Sequence, residues 1–360
     1  QLVNLIYNRF PPSPNIDFMV QRILIFRRGS IGDAVVSLPA LFGIRDRSPE
    51  AELAILTNAP VMGRAAQLET MLGRTNLISE YFSLPPGGGG LSSMRQVRSA
   101  IKVWSPDKLI YLSEPSSLIS LMKEFLFFKS CGIKNVKAMP FARSVREYQH
   151  KSDKLWESES ERLLRVTGSP WSEKFEITFS GEEQNQAEQI IAEKFTGVSY
   201  IAFSIGGKLP DKDWGDINWS RVLESLSKEN PSLGLLLIGA DDESVRSSAL
   251  ALKWQGPVLN LCGKTNPRLS ALAMRRALFY LGHDSGPMHL AALISVPCVA
   301  LFSARAKPGV WFPHGDNHHI FYPWEMADRV SNKAGFRTAG SSILSIKHED
   351  VIESCRKLLT

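Results

Sequence analysis

Residues 279–303 read FYLGHDSGPMHLAALISVPCVALFS. An apolar run ends at Gly282, a polar turn follows through His283, Asp284, Ser285, Gly286 and Pro287, and an amphipathic segment carries His289, Leu290, Leu293 and Ile294. A second apolar run, 299–302, follows Pro297. The pattern is strand, tight turn, helix, strand, the crossover unit of a parallel α/β sheet. Its turn closes a strand and opens a helix, where open α/β sheets bind ligands and exposed backbone N–H groups favour anions. Asp284 can accept from ligand hydroxyls. Ser285 and Gly286 let backbone come close, and Pro287 suits a first helical turn. Asp284 could instead be a simple helix cap, which leaves Gly286 and His289 unexplained.

The same alternation runs outward in both directions. Toward the N-terminus, 22–26 is a buried-strand pattern, 27–33 a glycine-bearing turn, 34–45 a helix and 51–57 a strand. These predict a βαβ opening and a mononucleotide-type half domain. Pro85 with the 87–90 glycine run marks a loop. Further on, 108–112 is a strand, 143–150 a basic stretch and 155–166 helix-like. A linker is expected at 168–171. Helix 182–195 follows, then strand 199–204, helix 219–228, strand 233–238, helix 242–254 and strand 258–261. A last helix is expected at 346–359. The expected organisation is an N-terminal extension (1–18), a Rossmann-like half (19–170), a second Rossmann-like half (171–340) and a C-terminal helix (341–360) free to pack back on the N-terminal domain. The two halves face a central cleft.

The 360 residues suit two domains, with 44% hydrophobic and 22% charged residues enough for ordinary cores. A net charge of +6 fits an anionic ligand or surface. Four cysteines without a C-x-x-C argue against a metal or disulfide framework and for a reducing, cytoplasmic setting. The longest apolar stretch, 118–128, is interrupted by Lys123 and Glu124, so no membrane span is expected. The chain opens with no signal-peptide pattern, and Met19 is a candidate start.

Three further loops could carry chemistry. In Gly29-Ser30-Ile31-Gly32-Asp33 the third glycine of a dinucleotide fingerprint is missing. Asp33 either satisfies a helix dipole or faces the cleft as a general base. In Ser204-Ile205-Gly206-Gly207-Lys208, with Lys212 beyond, backbone N–H groups and lysines could gather round a phosphate, or the lysines could be solvated. Asp211-Lys212-Asp213 has the D-x-D spacing of metal-dependent glycosyltransferases, but its lysine can neutralise phosphate without a metal. In Asp241-Asp242-Glu243 a carboxylate could receive ribose hydroxyls or cap the next helix. His314, His318 and His319 lack an acidic partner at ligand spacing and read as a surface loop.

Taken together, ILIFRRGSIGDAVVSLPAL (23–41), FSIGGKLPDKDW (203–214) and HDSGPMHLAALISVPCVALF (283–302) resemble glycosyltransferase family 9, the ADP-heptose:lipopolysaccharide heptosyltransferases. The resemblance runs from Ile23 to the last helix and is loosest over 85–171. It implies a GT-B fold and inverting sugar transfer without a metal. It implies Asp33 as base, Lys212 on the diphosphate, and a donor site of Ser204, Gly206, Gly207, Lys208, Asp284, Ser285, Gly286 and His289. Asp241, or Glu243 if the loop is shifted, meets the nucleotide, with Thr265 on the adenine side. The implied partners are a nucleotide-sugar donor, ADP-heptose by family, and a lipopolysaccharide-core acceptor. Charge alone offers Arg143 and Arg146 to that acceptor, and admits peripheral contact with the anionic inner face of the inner membrane. The chain departs from the family in having 334–342 where many members carry a cysteine-rich segment, and Gly206-Gly207 where some carry threonines. Rival readings are a GT-B-like nucleotide-sugar epimerase and a non-catalytic nucleotide-sugar-binding protein. Nucleic-acid binding is disfavoured, since the basic residues are not interleaved with aromatics.

Overall fold

The computed structural model describes residues 20–59, 68–73, 75, 77–85, 90–152, 154–169, 177–207, 209–334 and 342–359. The expected extension, Lys208, most of the glycine run and part of the expected linker lie outside these residues.

The first half runs β1 (Arg22–Phe26), α1 (Ile31–Arg47), β2 (Glu52–Asn58), α2 (Leu68–Leu72), β3 (Glu80–Leu84), α3 (Leu91–Trp104), β4 (Lys108–Tyr111), α4 (Leu118–Ser130), β5 (Asn135–Lys137), α5 (Arg143–Arg146) and α6 (Glu159–Thr167). The second runs α7 (Gly181–Phe195), β6 (Tyr200–Ser204), α8 (Asp216–Glu229), β7 (Gly234–Leu237), α9 (Ser244–Leu250), β8 (Val258–Asn260), α10 (Pro267–Met274), β9 (Tyr280–His283), α11 (Gly286–Leu293), β10 (Cys298–Leu301), β11 (His319–Phe321) and α12 (His348–Arg356).

Each half is one parallel sheet. The first has the order β3-β2-β1-β4-β5 and the second β11-β10-β9-β6-β7-β8. Central strands of such sheets are covered on both faces, so they read as unbroken apolar runs. In β1, Ile23 and Ile25 enter one core while Leu24 and Phe26 enter the opposite one. In β6, Tyr200 and Ala202 separate in the same way from Ile201 and Phe203. The inner core is shared by the two halves: α1 packs against α6 on one side and α11 on the other.

Each strand order reverses direction at one place, between β1 and β4 in the first sheet and between β6 and β9 in the second. Ligand crevices form at such switch points, outside the carboxyl ends of the strands. The loops 27–33, 204–213 and 283–287 follow β1, β6 and β9, whereas 241–243 follows β7.

The last helix departs from expectation. It lies against α8 and β10 of the second half rather than on the first. Its apolar face, Val351, Ile352 and Cys355, completes the core around Trp219, Val222 and Leu226. Arg356 is also paired to Glu229 at 2.7 Å. All four cysteines are free and buried. Among the described residues no helix is long and apolar enough to cross a membrane.

Candidate functional site

The loop after β1 is held from below by a buried arginine. Arg27 follows the apolar strand directly and is fully buried. Its Nε and Nη2 donate to the Asp33 carbonyl at 3.1 and 2.9 Å, and Nη2 also reaches Asp33 Oδ1 at 3.2 Å. Nη1 donates to the Leu112 carbonyl beyond β4 at 2.6 Å. Helix α1 begins three residues earlier than its periodicity suggests, which puts Asp33 in the first turn. Asp33 Oδ2 accepts the Ser30 N–H at 2.7 Å and its hydroxyl at 3.0 Å, the returning half of a capping box. Asp33 therefore caps the helix, and its side chain stays partly exposed. Gly29 has φ +142°, and a Cβ there would overlap the Asp33 carboxyl. Only glycine fits this turn.

Arg27 is anchored by a second buried group. Its Nη1 lies 3.5 Å from Glu159 Oε1, and Arg162 grips the same carboxylate with two bonds of 2.8 Å. The Tyr148 hydroxyl donates to Glu159 at 2.8 Å. Burial by itself would raise the Glu159 carboxyl, but Arg162, Arg27 and Tyr148 together hold it below its ordinary value. A buried carboxylate so paired keeps its charge, and removal of one partner is costly.

In the second half, the loops after β6 and β9 are tied together. Lys212 Nζ lies 2.5 Å from Asp284 Oδ2 and 3.3 Å from the Asp284 carbonyl. His283, wholly buried, donates from Nδ1 to the Ile205 carbonyl at 3.1 Å, while Nε2 accepts the Trp214 N–H at 3.1 Å. One imidazole thus fixes both ends of the loop that carries Lys212. Gly207 lies beneath, 3.6 Å from the Lys212 side chain to the position of an added Cβ.

His283 gives a pH prediction. Burial pushes its pKa down from 6.5 to about 4, so it is neutral in the folded chain. Between those values the unfolded chain binds the extra proton and the folded chain does not. The stabilisation is therefore complete above pH 6.5 and is lost as pH falls toward 4, amounting to roughly 3 kcal/mol. Denaturant titrations at pH 7 and 4.5 should show this slope, and His283→Asn should flatten it. An unchanged slope in the variant would assign the effect to other histidines.

The two halves meet at these loops. An added Cβ on Gly32 would come within 2.8 Å of the His289 ring, and one on Gly286 within 3.1 Å of Ile31. The N-terminal turns of α1 and α11 are thus brought together with no side chain between the glycine and its neighbour. Asp33 projects from one turn, and Asp284 with Lys212 stands at the other. A cavity of 530 Å³ runs along the same helix contact, with Val36, Pro39, Trp156, His289, Leu293 and Phe312 among its lining. None of Asp33, Lys212 and Asp284 lines it, but His289 does, so it adjoins the meeting place of the charged loops.

Several expected ligand contacts turn out to shape loops. Ser204 is buried, and its hydroxyl accepts the Gly206 N–H at 3.1 Å. Glu243 accepts the Ala240 N–H at 2.8 Å. Burial raises its carboxyl, with Asp242 adding, while the Ala240 and Gly207 amides act the other way. Asp241 and Asp242 are both exposed at this loop, and Gly263 passes close against Asp241. Thr265 is bonded to Ser270 at 2.7 Å, and Ser285 sits 3.3 Å from the Tyr280 hydroxyl. His289 is buried against Gly32, with Asp284 3.9 Å away. Burial lowers its pKa, and Asp284 and Asp33 oppose that.

The remaining candidates separate. Arg146 donates to the Ser116 carbonyl at 3.0 Å, in the loop after β4, whereas Arg143 is exposed beside Glu147. Asp211 is paired with Arg305, and Asp213 with Arg246 at 2.7 Å. His318 bridges the His314 carbonyl and the Cys298 N–H, and His319 bonds Ser354. These two histidines serve packing rather than forming a loose surface loop. No group of three or more metal-ligating side chains occurs among the described residues.

Sequence reading assigned no role to Arg27, Glu159, Arg162 or His283. A buried arginine or histidine has no local signature; the one hint was a charged residue set directly at the end of a buried strand.

Comparison with known proteins bears on the family and the fold. The family described as Glycosyltransferase family 9 (heptosyltransferase) matches residues 149–334. Lipopolysaccharide heptosyltransferase 3 of Escherichia coli K12 is 21% identical, covering 91% of this chain and 95% of its own. The structure of a family 9 glycosyl transferase from Veillonella parvula aligns with a TM-score of 0.70 at 17% identity, covering 94% of this chain and 97% of that one. E. coli ADP-heptose lipopolysaccharide heptosyltransferase II aligns at 0.67 with 18% identity, covering 94% and 98%. These likenesses establish the GT-B fold, two parallel α/β halves about a cleft. With the family match spanning more than half of its length, the chain belongs to glycosyltransferase family 9 and is a glycosyltransferase of the heptosyltransferase type.

Proposed function

We propose that this enzyme transfers heptose from ADP-heptose to a hydroxyl of a lipopolysaccharide-core acceptor, with inversion and without a metal. The observation that carries the reading is the face-to-face placement of the Asp33 turn and the Lys212–Asp284 pair, each at the switch point of its own sheet. The relatives' names supply the sugar, nucleotide and acceptor.

In this reading the Asp33 carboxylate takes the proton of the acceptor hydroxyl as its oxygen attacks the anomeric carbon. The bond from that carbon to the diphosphate oxygen breaks, and ADP leaves with the electron pair. Lys212 and the N–H groups opening α11 at Gly286 meet the growing charge. Gly206 and Gly207 allow close approach of the diphosphate, with Lys208 adding charge. Asp241 receives ribose hydroxyls and Thr265 lies toward the adenine. Ser204, Glu243, Ser285 and His289 hold these loops in place. Arg146, and more loosely Arg143, serve the acceptor side.

The test is sugar transfer from ADP-heptose to a lipopolysaccharide-core acceptor, with the anomeric configuration of the product determined. Release of free sugar or an epimerised nucleotide sugar without acceptor would overturn the reading. Metal independence has its own support, because Asp211 and Asp213 are each committed to a guanidinium. Excess chelator is expected to leave turnover unchanged. Loss with chelator and recovery with magnesium or manganese would return those aspartates to a metal.

A further inference from the structure

Helix α4 buries Leu121 and Phe128 but turns a second apolar face outward. Leu118, Ile119, Met122 and Leu126, with Phe141 beside them, are between 42% and 71% exposed. Spacings of three and four residues place the four helix residues on one stripe about 100° wide. Phe125 extends it and meets Phe141 edge to face at 6.0 Å.

The surroundings of the stripe are basic. From Leu118 to Arg143 there are five basic residues, Lys123, Lys129, Lys134, Lys137 and Arg143, all exposed, against one acid. That acid, Glu124, is engaged by Arg28 at 2.8 Å and by the Tyr111 hydroxyl at 2.9 Å. Helix α3, joined to α4 by the Arg98–Ser130 hydrogen bond, adds Arg95, Arg98 and Lys102 with no acid of its own.

We infer that the outward face of α4 seats the enzyme on the surface of an anionic phospholipid bilayer, with Leu118, Ile119, Met122 and Leu126 entering the interface and the lysines meeting headgroup phosphates. An exposed apolar stripe bordered by lysines is the composition of an interfacial helix, whose binding combines apolar burial with attraction to anionic lipid. Charge complementarity selects this occupant. A second copy of the chain would bring the same basic border against itself. Position agrees: α4 starts just past the loop whose Leu112 and Ser113 hold Arg27 and Arg28 at the cleft. The use of such seating, to present a lipid-borne acceptor to Asp33, rests on the proposed function; the seating itself does not.

The test uses the full chain and vesicles free of glycolipid, either phosphatidylcholine alone or phosphatidylethanolamine with phosphatidylglycerol. The chain should sediment with the anionic vesicles, much less with the neutral ones, and less as salt rises. The triple variant Ile119→Ser, Met122→Ser, Leu126→Ser should lose at least about tenfold in partitioning at an unchanged melting temperature, because these side chains are exposed. Lys123→Glu with Lys134→Glu should also lose it, by about fivefold or more per site. Equal binding of wild type to both lipids, undiminished binding by the serine variant, or dimerisation removed by the serines would each overturn the inference. Transfer to a soluble, delipidated acceptor should remain at the wild-type rate in the serine variant. That outcome separates failure of the seating from failure of the proposed reaction.

Discussion

In Asp33→Asn, turnover is expected to fall by about 10²–10⁴-fold, the usual contribution of a general base. ADP affinity should stay near the wild-type value, because Asp33 belongs to the first half and the donor loops to the second. Asparagine keeps an acceptor oxygen for the Ser30 N–H and hydroxyl, which Asp33 Oδ2 now serves at 2.7 and 3.0 Å. It cannot match the charge facing Arg27, so a modest loss of stability, about 1–2 kcal/mol, should accompany the change. The measurements are initial rates with a lipopolysaccharide-core acceptor, ADP titration and a denaturant melt. Near-wild-type turnover would remove Asp33 from the chemistry. A parallel fall in rate, ADP affinity and stability would instead make it a structural cap.

The second large effect is expected at Lys212. Lys212→Ala should weaken ADP binding by about 10–100-fold, the range of one hydrogen bond to a charged group, and leave adenosine binding nearly unchanged. The ion pair adds a twist. Asp284 faces Lys212 at 2.5 Å, so the alanine variant leaves a carboxylate beside the diphosphate without its lysine. Part of the loss is then repulsion rather than a missing contact. Lys212→Ala with Asp284→Asn should recover some ADP affinity relative to Lys212→Ala alone, and a double-mutant cycle measures the coupling. Equal losses for ADP and adenosine would move Lys212 away from the phosphates.

The pattern of what could be read from the sequence follows from range. The strands 22–26 and 279–282 were legible because a central parallel strand is apolar on both faces. The position of the loops after them was legible because glycine and polar residues end an apolar run. The placement of α12 was not legible, since an amphipathic helix announces one buried face and not what covers it. Nor were the supports of the site. Arg27 is defined by Glu159, 132 positions away, and His283 by Ile205 and Trp214 on a different strand–loop unit. Glu243 and Ser204 looked like ligand contacts because their residue types suit hydroxyls and phosphates. Only the folded backbone shows that each also accepts an N–H of its own loop.

Helix α1 lies directly on α11, glycine to side chain at both crossing points. The first turns of the two helices are therefore neighbours across a tight mechanical joint. A joint of this kind moves by shear, in small slides of packed helices, rather than by a wide swing. A methyl group at Gly32 or Gly286 acts as a shim in that joint, pressing on His289 or Ile31 and altering how the halves register.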